Sequence, residues 1–226
     1  MKLSAMLNRV AQLQPKWTSE NTSDMQERGQ LIRNEIPAEL KISFDRLQRS
    51  VSPYGDELGV NGSDGIGRKT SAPWVRLFSQ RLSARATTGF YLVIHFSTDG
   101  TRCFFTLGTG TTSWDNERGD LVPDDLEEIH KRTEWIVRTL ESSGVDLVGF
   151  RDEIAIGSSA KLPKLFEAGT ALCRSVPVAE LNDEIVLDLL DRLLGFLSII
   201  YKAVDRRDHL PATKALAIQS ECGVSE

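Results

Sequence analysis

Residues 89–108 read GFYLVIHFSTDGTRCFFTLG, two apolar runs of strand length joined by the tetrapeptide STDG. An Asp-Gly pair between two such runs is a strong signal for a β-hairpin, because both residues readily adopt the backbone conformations of tight turns. Side chains alternate along a strand, so Tyr91, Val93 and His95 share one face. The opposite face is apolar as well, which predicts a central strand that is covered on both sides.

Weaker patterns on either side of the hairpin predict the rest of the fold. Apolar residues that recur every three or four positions predict helices, and proline or glycine marks their ends. The predicted elements are two helical pieces within 1–48, the second broken by Pro37, a loop over Ser50–Asp64, a strand in PWVRLF (73–78), a helix from Pro123 to Gly144, a strand over Phe150–Ile156 and a helix from Asn182 to Ala203. Together they predict one α+β domain, with a central, mostly antiparallel sheet flanked by helices.

Length and composition fit a single globular unit with short extensions. The chain has 226 residues, of which 40% are apolar and 26% charged, and these are ordinary values for a globular protein. We expect an N-terminal helical segment over 1–48 that packs on the domain. A core with its C-terminal helix follows over 49–205, and residues 206–226 form a tail.

The charge of the chain is distributed unevenly. The window Gly65–Thr98 holds no acidic residue and contributes +5 to a chain of net charge −5, so the remaining residues sum to −10. A basic face confined to one side of an acidic protein indicates a surface that binds a polyanion such as nucleic acid. The basic residues of the window are Arg68, Lys69, Arg76, Arg81 and Arg85.

Cysteine usage and apolar content indicate a reducing compartment. The three cysteines, Cys103, Cys173 and Cys222, are far apart and form no CxxC pair, which favours free buried thiols over disulfides or a zinc site. Neither a signal peptide nor an apolar run long enough to span a bilayer is visible. We therefore expect a cytoplasmic protein with no membrane partner, no metal and no cofactor.

A glycine-rich loop opens the basic window. Residues 62–70 read GSDGIGRKT, which resembles a phosphate-binding P-loop but has one residue too many between glycine and lysine. No strand is expected before Gly62, and Pro73 prevents the long helix that a P-loop requires. Two readings stay open: a flexible entry loop, or a loop pressed against nucleic acid with Arg68 and Lys69 as counter-charge.

The aromatic residues beside this loop also allow two readings. Trp74 and Tyr91 are either core side chains or the walls of a pocket that stacks a base. His95 lies on the Tyr91 face, and a lone histidine in a strand is either a satisfied core residue or part of such a site.

No catalytic set is apparent. Pro123-Asp124, followed by Glu127, Glu128 and Lys131, superficially resembles a PD…ExK nuclease site, but Glu128 and Lys131 are three positions apart rather than two. The segment instead reads as the acidic first turn of a helix. Three isolated histidines do not form an HNH site, and no nucleophile elbow supports serine chemistry. We therefore expect a binding module and not an enzyme.

The order of these elements resembles a known family. The sequence GIGRKTSAPW (65–74), the strand GFYLVIHF (89–96), its partner TRCFFTLG (101–108) and a final helix before Tyr201-Lys202 are similar to the N-terminal domain of McrB-type modification-dependent restriction proteins. The resemblance covers about Ile36 to Ala203. Its Pro-Trp and Gly-x-Tyr elements are the specific ones, whereas the helices are not.

The resemblance implies a module that recognises methylated cytosine by rotating it out of duplex DNA. Trp74 and Tyr91 would then line the pocket for the base, and His95 would face the same pocket. Ile66 falls where the family has an aromatic wedge, and an apolar side chain is still able to enter a base step. The residues expected to contact the DNA backbone are Gly65, Gly67, Arg68, Lys69, Arg81 and Arg85.

The expected partners follow from the same resemblance. They are double-stranded DNA with a modified cytosine and a nuclease or NTPase subunit, since the GTP-hydrolysing domain of the full-length family member is absent here. The chain would act with a separate cleavage partner or as part of a longer protein. The alternative is a protein-interaction subunit of a restriction or anti-phage complex that has no DNA specificity of its own.

Overall fold

A five-stranded antiparallel sheet forms the centre of the protein, in a computed structural model that describes residues 2–51, 58–65 and 67–207. Its strands, in spatial order, are β1 (Leu58–Ser63), β2 (Trp74–Ser79), β3 (Phe90–Phe96), β4 (Arg102–Thr109) and β7 (Thr170–Pro177). A separate two-stranded hairpin consists of β5 (Thr112–Asp115) and β6 (Asp120–Pro123). The predicted α+β class and the central hairpin over 89–108 are confirmed.

The turn of the central hairpin shows why its sequence is needed. Gly100 has a φ of +71°, and a Cβ at this position would lie 2.1 Å from the Ala11 carbonyl oxygen. The Asp99 carboxylate accepts hydrogen bonds from the Ser97 hydroxyl at 2.6 Å and from the Thr101 amide at 3.0 Å. The same bonds lower the pKa of Asp99. The turn is therefore closed by its own hydrogen bonds, and it packs directly against the backbone of the N-terminal helix.

The described residues form seven α-helices around the sheet. They are α1 (Leu3–Leu13), α2 (Ser23–Gln30), α3 (Ile36–Ile42), α4 (Phe44–Val51), α5 (Leu126–Ser142), α6 (Lys161–Ala168) and α7 (Asp183–Arg206). Short 3-10 turns follow α1 and β7. The helices predicted from Pro123 and from Asn182 are confirmed as α5 and α7.

Side-chain caps begin both of these long helices. The Asp125 carboxylate accepts from the amide of Glu127 at 2.8 Å. The Asn182 side chain accepts from the Ile185 amide at 2.9 Å. Each cap satisfies a backbone donor that has no partner within the helix.

The helix break predicted at Pro37 does not occur. The chain stays helical through a π-turn over Leu31–Glu35, and Pro37 lies in the first turn of α3. A proline is tolerated there because its missing amide would have had no partner within that helix.

The loop predicted over Ser50–Asp64 is wrong for its second half, which forms the edge strand β1. Glycine and asparagine have low strand propensity and hid this strand from sequence patterns. Its position depends on a close approach, because a Cβ on Gly62 would lie 2.0 Å from the Ile32 carbonyl oxygen. Residues 52–57 lie outside the described part of the chain.

The strand predicted over Phe150–Ile156 is also wrong. This segment forms one isolated bridge, in which Arg151 pairs with Cys173 of β7. The Asp152 carboxylate then accepts from the Ser175 amide at 2.8 Å. This side-chain hydrogen bond takes the place of the next backbone pairing with β7.

Helices α1, α5 and α7 cover one face of the sheet. Phe90, Leu92, Ile94 and Phe96 of β3 belong to a single core that α1, α5 and α7 complete. Phe90 stacks on Trp135 of α5 with 5.2 Å between ring centroids. Buried residues of α1 lie in the same core, so the N-terminal segment contributes to it directly. The division at 48/49 stays a prediction, and residues 208–226 lie outside the described part.

The cysteines in the described part of the chain are free and buried. Burial raises the pKa of the Cys103 thiol and raises that of Cys173 to about 12. Cys222 lies outside the described residues. In those residues, no helix combines the length and the apolar character that a membrane crossing requires.

Tyr201 ties the last helix to the sheet. Its hydroxyl accepts a hydrogen bond from the Ser79 amide at 3.0 Å and donates one to the Phe90 carbonyl at 2.7 Å. The side chain is fully buried, and the Phe90 carbonyl also accepts from the Ser83 hydroxyl. One phenol thus joins α7 to the ends of β2 and β3.

We expect Tyr201→Phe to lower the free energy of unfolding by about 1–3 kcal/mol, because the buried Ser79 amide loses its partner. Urea unfolding of both proteins measures this, with a lower midpoint and an unchanged m-value. An unchanged midpoint would show that the phenol bond does not contribute.

Candidate nucleic-acid interface

The second face of the sheet forms the floor of an open cavity of about 890 Å³. This floor, the side of the sheet opposite α1, α5 and α7, consists of residues from β2, β3 and β4. The walls come from the glycine loop, from α6 and from the β5–β6 hairpin. The floor residues are Trp74, Arg76, Tyr91, Val93, His95 and Thr106.

All three predicted pocket residues line this cavity. Trp74 is partly exposed and stands opposite His95 in the β2–β3 register. Tyr91 lies four residues before His95 in β3, which corresponds to roughly 13 Å along a strand. Trp74 and Tyr91 therefore lie on neighbouring strands at opposite ends of the floor, and Val93 separates Tyr91 from His95 along β3.

Tyr91 is held rigidly at its end of the floor. Its hydroxyl donates to the Ala86 carbonyl oxygen at 2.6 Å, and its ring lies beside the Arg76 guanidinium, 5.1 Å from the ring centroid. Burial raises the pKa of Tyr91 to about 12, although Arg76 acts in the opposite direction. The phenol is therefore uncharged, and its orientation is fixed.

Arg76 occupies the centre of the floor and is buried. Its guanidinium donates to the carbonyl oxygens of Ser83 and Ala84, both at 3.1 Å, and to the Asn61 side chain at 3.3 Å. It also lies 3.8 Å from the Phe78 ring centroid. Burial lowers the pKa of Arg76. This cation of the basic window is therefore a structural element of the floor.

His95 lies beside Trp74 on the floor. It is 4% exposed, and its ring stacks on Phe166 of α6 with 5.6 Å between centroids. Burial lowers the pKa of His95 to about 3, so the imidazole is neutral at physiological pH. Its Nδ1 atom has no hydrogen-bond partner among the described residues.

The glycine loop is anchored at both ends. The buried Asp64 carboxylate binds Arg33 and accepts from Lys69 at 2.6 Å. Burial would raise the pKa of Asp64, but the hydrogen bonds from these two cations outweigh it and lower the pKa. The Trp17 indole also donates to the Lys69 carbonyl at 3.2 Å. The loop is therefore fastened to the N-terminal helices.

The loop glycines are required by the backbone. Gly65 and Gly67 have φ values of +111° and +74°, and a Cβ on Gly65 would lie 2.1 Å from the Arg68 carbonyl oxygen. Contrary to expectation, strand β1 precedes the loop. The segment is still not a P-loop, because the chain runs from Thr70 into β2 and not into a helix.

The predicted backbone-binding cations differ in how they are paired. Lys69 pairs with Asp64, and Arg81 pairs with Asp205 at 3.0 Å. Arg68 is exposed at the cavity wall and has no ion pair with any described residue. Arg85 is exposed on the surface. Ile66, the predicted wedge, lies outside the described residues.

Sequence reasoning missed the outer wall of the cavity. Trp114 of β5 pairs with Leu121 of β6, and the two residues are 58% and 39% exposed. Leu162 of α6 is 44% exposed on the same cavity. The one signal in the sequence was a single tryptophan in a polar stretch, since four-residue strands are too short for a periodic pattern.

A buried ion pair fastens this hairpin to α5. Arg132 donates to the Asp124 carboxylate at 2.9 Å, and Asp124 also accepts from the Ser113 hydroxyl at 2.7 Å. Lys131 pairs with Glu127 on the helix surface. Asp124, Glu127 and Lys131, three of the residues considered for a nuclease site, thus have structural partners, and the described residues contain no group of three or more His, Cys, Asp or Glu side chains able to hold a metal ion.

Residues 12–203 match the protein family described as MrcB-like, N-terminal domain. The chain belongs to this family. The match extends from α1 to α7 and includes the sheet, the glycine loop and the residues of the cavity floor. It confirms the resemblance to McrB-type restriction proteins and indicates a restriction-related, DNA-binding module. No curated protein matches the chain.

The buried neutral histidine makes stability depend on pH. The unfolded chain protonates His95 below its ordinary pKa of 6.5, whereas the folded chain does so near 3. Acidification through this interval therefore favours unfolding, and we expect this group to lower the free energy of unfolding by about 2 kcal/mol between pH 7 and pH 5.

Urea unfolding at the two pH values, in the parent protein and in His95→Gln, measures this contribution. In His95→Gln, most of the change in the free energy of unfolding between pH 7 and pH 5 should disappear. His130→Gln, the same exchange at an exposed position of α5, is the matched control. Equal pH dependence in the parent and in His95→Gln would contradict the expectation.

Proposed function

We propose that the cavity receives a modified cytosine that is rotated out of duplex DNA. The observation that carries the proposal is Trp74, a partly exposed indole on the floor of an open cavity beside Arg68 and the glycine loop. A sealed core would have buried this ring completely. Membership of the family supports DNA as the ligand.

The energies are consistent with such a role. Extruding a base costs a few kcal/mol, and stacking it on an aromatic side chain returns roughly 1–3 kcal/mol. Contacts to the phosphates supply the remainder. A buried methyl group adds about 0.8 kcal/mol, which is about a fourfold preference, so the shape of the cavity must contribute to selectivity.

The glycine loop is suited to the DNA backbone. Gly65 and Gly67 leave room for a phosphate to approach the main chain, and Arg68 supplies an exposed positive charge. Lys69 and Arg81 would have to exchange their carboxylate partners for phosphates. Ile66 would enter the vacated base step as a wedge.

Cleavage would be the task of another protein or domain. We propose that this chain is a binding module and that a nuclease or NTPase partner acts on the DNA it marks, within the cytoplasm. The arrangement would direct restriction to modified foreign DNA.

A second candidate function is docking of a partner protein. The observation in its favour is the exposed apolar set Trp114, Leu121 and Leu162 around the cavity mouth, since exposed apolar patches often mark interfaces. Binding of a restriction partner without measurable DNA affinity would favour this candidate.

Titration of methylated and unmethylated duplexes tests the leading proposal. We expect the parent protein to prefer the methylated duplex and Trp74→Ala to lose that preference, because the base loses its stacking surface. Trp74→Phe keeps an aromatic ring and should retain part of the preference. Equal affinity of the parent protein for both duplexes would contradict the proposal.

Arg68 has a separate and measurable effect. We expect Arg68→Ala to weaken binding to both duplexes alike and to reduce the slope of log K against log salt by about one, since one phosphate contact is lost. Arg138→Ala removes the same charge from α5, away from the cavity, and should leave the slope unchanged. Equal slopes for the parent and Arg68→Ala would exclude a phosphate contact.

A further inference from the structure

A second exposed cation lines the cavity, outside the basic window of the sequence. Lys161, the first residue of α6, lines the same cavity as Arg68. Its side chain is exposed and, like that of Arg68, forms no ion pair with any residue in the described part of the chain. The fold therefore brings together two exposed cations that are far apart in the sequence.

The segment that leads to Lys161 is fastened to the glycine loop and to the central hairpin. Ser71 directly follows the glycine loop, and its hydroxyl lies 3.2 Å from the hydroxyl of Ser158. Thr98, in the turn of the hairpin, donates through its hydroxyl to the Gly157 carbonyl at 3.0 Å. The main chain before α6 is therefore held against the loop that carries the first cation.

The β5–β6 wall of the cavity has the opposite charge. Residues 112–123 of this hairpin hold three acidic residues and one basic residue, which gives a net charge of −2, whereas residues 156–168 hold two lysines and one glutamate, which gives +1. Asp120 of the hairpin is exposed, and it is the one acidic residue among the described residues that line the cavity. A phosphate backbone at the mouth is therefore favoured beside the glycine loop and α6 and disfavoured beside the hairpin.

The two exposed cations fit the backbone of an extruded nucleotide. A base that rotates out of the duplex about its backbone enters the cavity, whereas the phosphates on its two sides stay at the mouth. A lysine binds a phosphate as a point charge and does not require the bidentate geometry of an arginine. Lys161 needs to release no carboxylate of the described residues before it binds one.

We propose that Lys161 contacts a phosphate beside the extruded base. The strand that carries this base then passes along the glycine loop and α6 and not over the β5–β6 hairpin. The inference rests on the proposed function, because only a base that leaves the duplex places its own phosphates at the mouth of the cavity.

Salt titrations of the full chain with the methylated and the unmethylated duplex test the contact. We expect Lys161→Ala to weaken binding of both duplexes alike and to reduce the slope of log K against log salt by about one, since one phosphate contact is lost. Lys161→Arg keeps the charge and should keep the slope of the parent protein.

Lys164→Ala is the matched control. It removes a cation from the next turn of α6 that pairs with Glu167 at 2.7 Å and does not line the cavity. This variant should leave the slope unchanged.

Uncharged phosphate analogues locate the contact on the DNA. A methylphosphonate replaces one of the two phosphates that flank the methylated cytosine, each in its own duplex. We expect one of these duplexes to bind the parent protein several-fold more weakly and to bind Lys161→Ala no more weakly than the unsubstituted duplex does, because both changes remove the same contact.

The remaining outcomes separate this inference from the proposed function. An unchanged slope in Lys161→Ala, with preference for the methylated duplex intact, would overturn the inference and leave the proposed function standing. A reduced slope with equal affinity of the parent protein for both duplexes would support the phosphate contact and overturn the proposed function. If both methylphosphonates weaken Lys161→Ala as much as the parent protein, Lys161 does not contact a phosphate beside the base and the inference is wrong.

Discussion

The buried guanidinium of Arg76 organises the open face of the sheet. It has no carboxylate partner among the described residues and is held by two backbone carbonyls, an amide side chain and the rings of Phe78 and Tyr91. An arginine buried in this way must keep all of these contacts, because an unpaired buried charge is strongly unfavourable. The segment before β3 and the ring of Tyr91 are therefore fixed relative to β2.

The same constraint explains why one face of the sheet is packed and the other is open. Helices α1, α5 and α7 cover the apolar side of β3 and β4. The second side carries Arg76, His95 and Thr106; the first and last have partners in the protein, whereas the Nδ1 atom of His95 has none among the described residues, and an apolar helix packed there could not supply one. The chain instead surrounds this side with a loop, a short helix and a hairpin, which leave a cavity between them.

Charge in the sequence and charge in the structure differ around this cavity. The window Gly65–Thr98 has no acidic residue, yet carboxylates from outside it pair with Lys69 and Arg81. Arg76 is buried, whereas Arg68 is exposed at the wall without an ion pair among the described residues. The pair of Arg81 with Asp205 lies at the surface, and surface ion pairs are weak in water. A phosphate is therefore able to displace Asp205 from Arg81 more readily than it displaces the buried Asp64 from Lys69.

Local patterns were enough for the hairpin over 89–108, for α5 and α7, and for the shared face of Tyr91, Val93 and His95, because alternation, turn residues and helix caps act over a few positions. Sequence patterns missed β1 and the β5–β6 hairpin, since short or glycine-rich strands depend on distant partners for their stability. The tertiary structure alone decided that this face stays open, which cations are paired and that His95 is neutral, because burial and ion pairing join residues far apart in the chain.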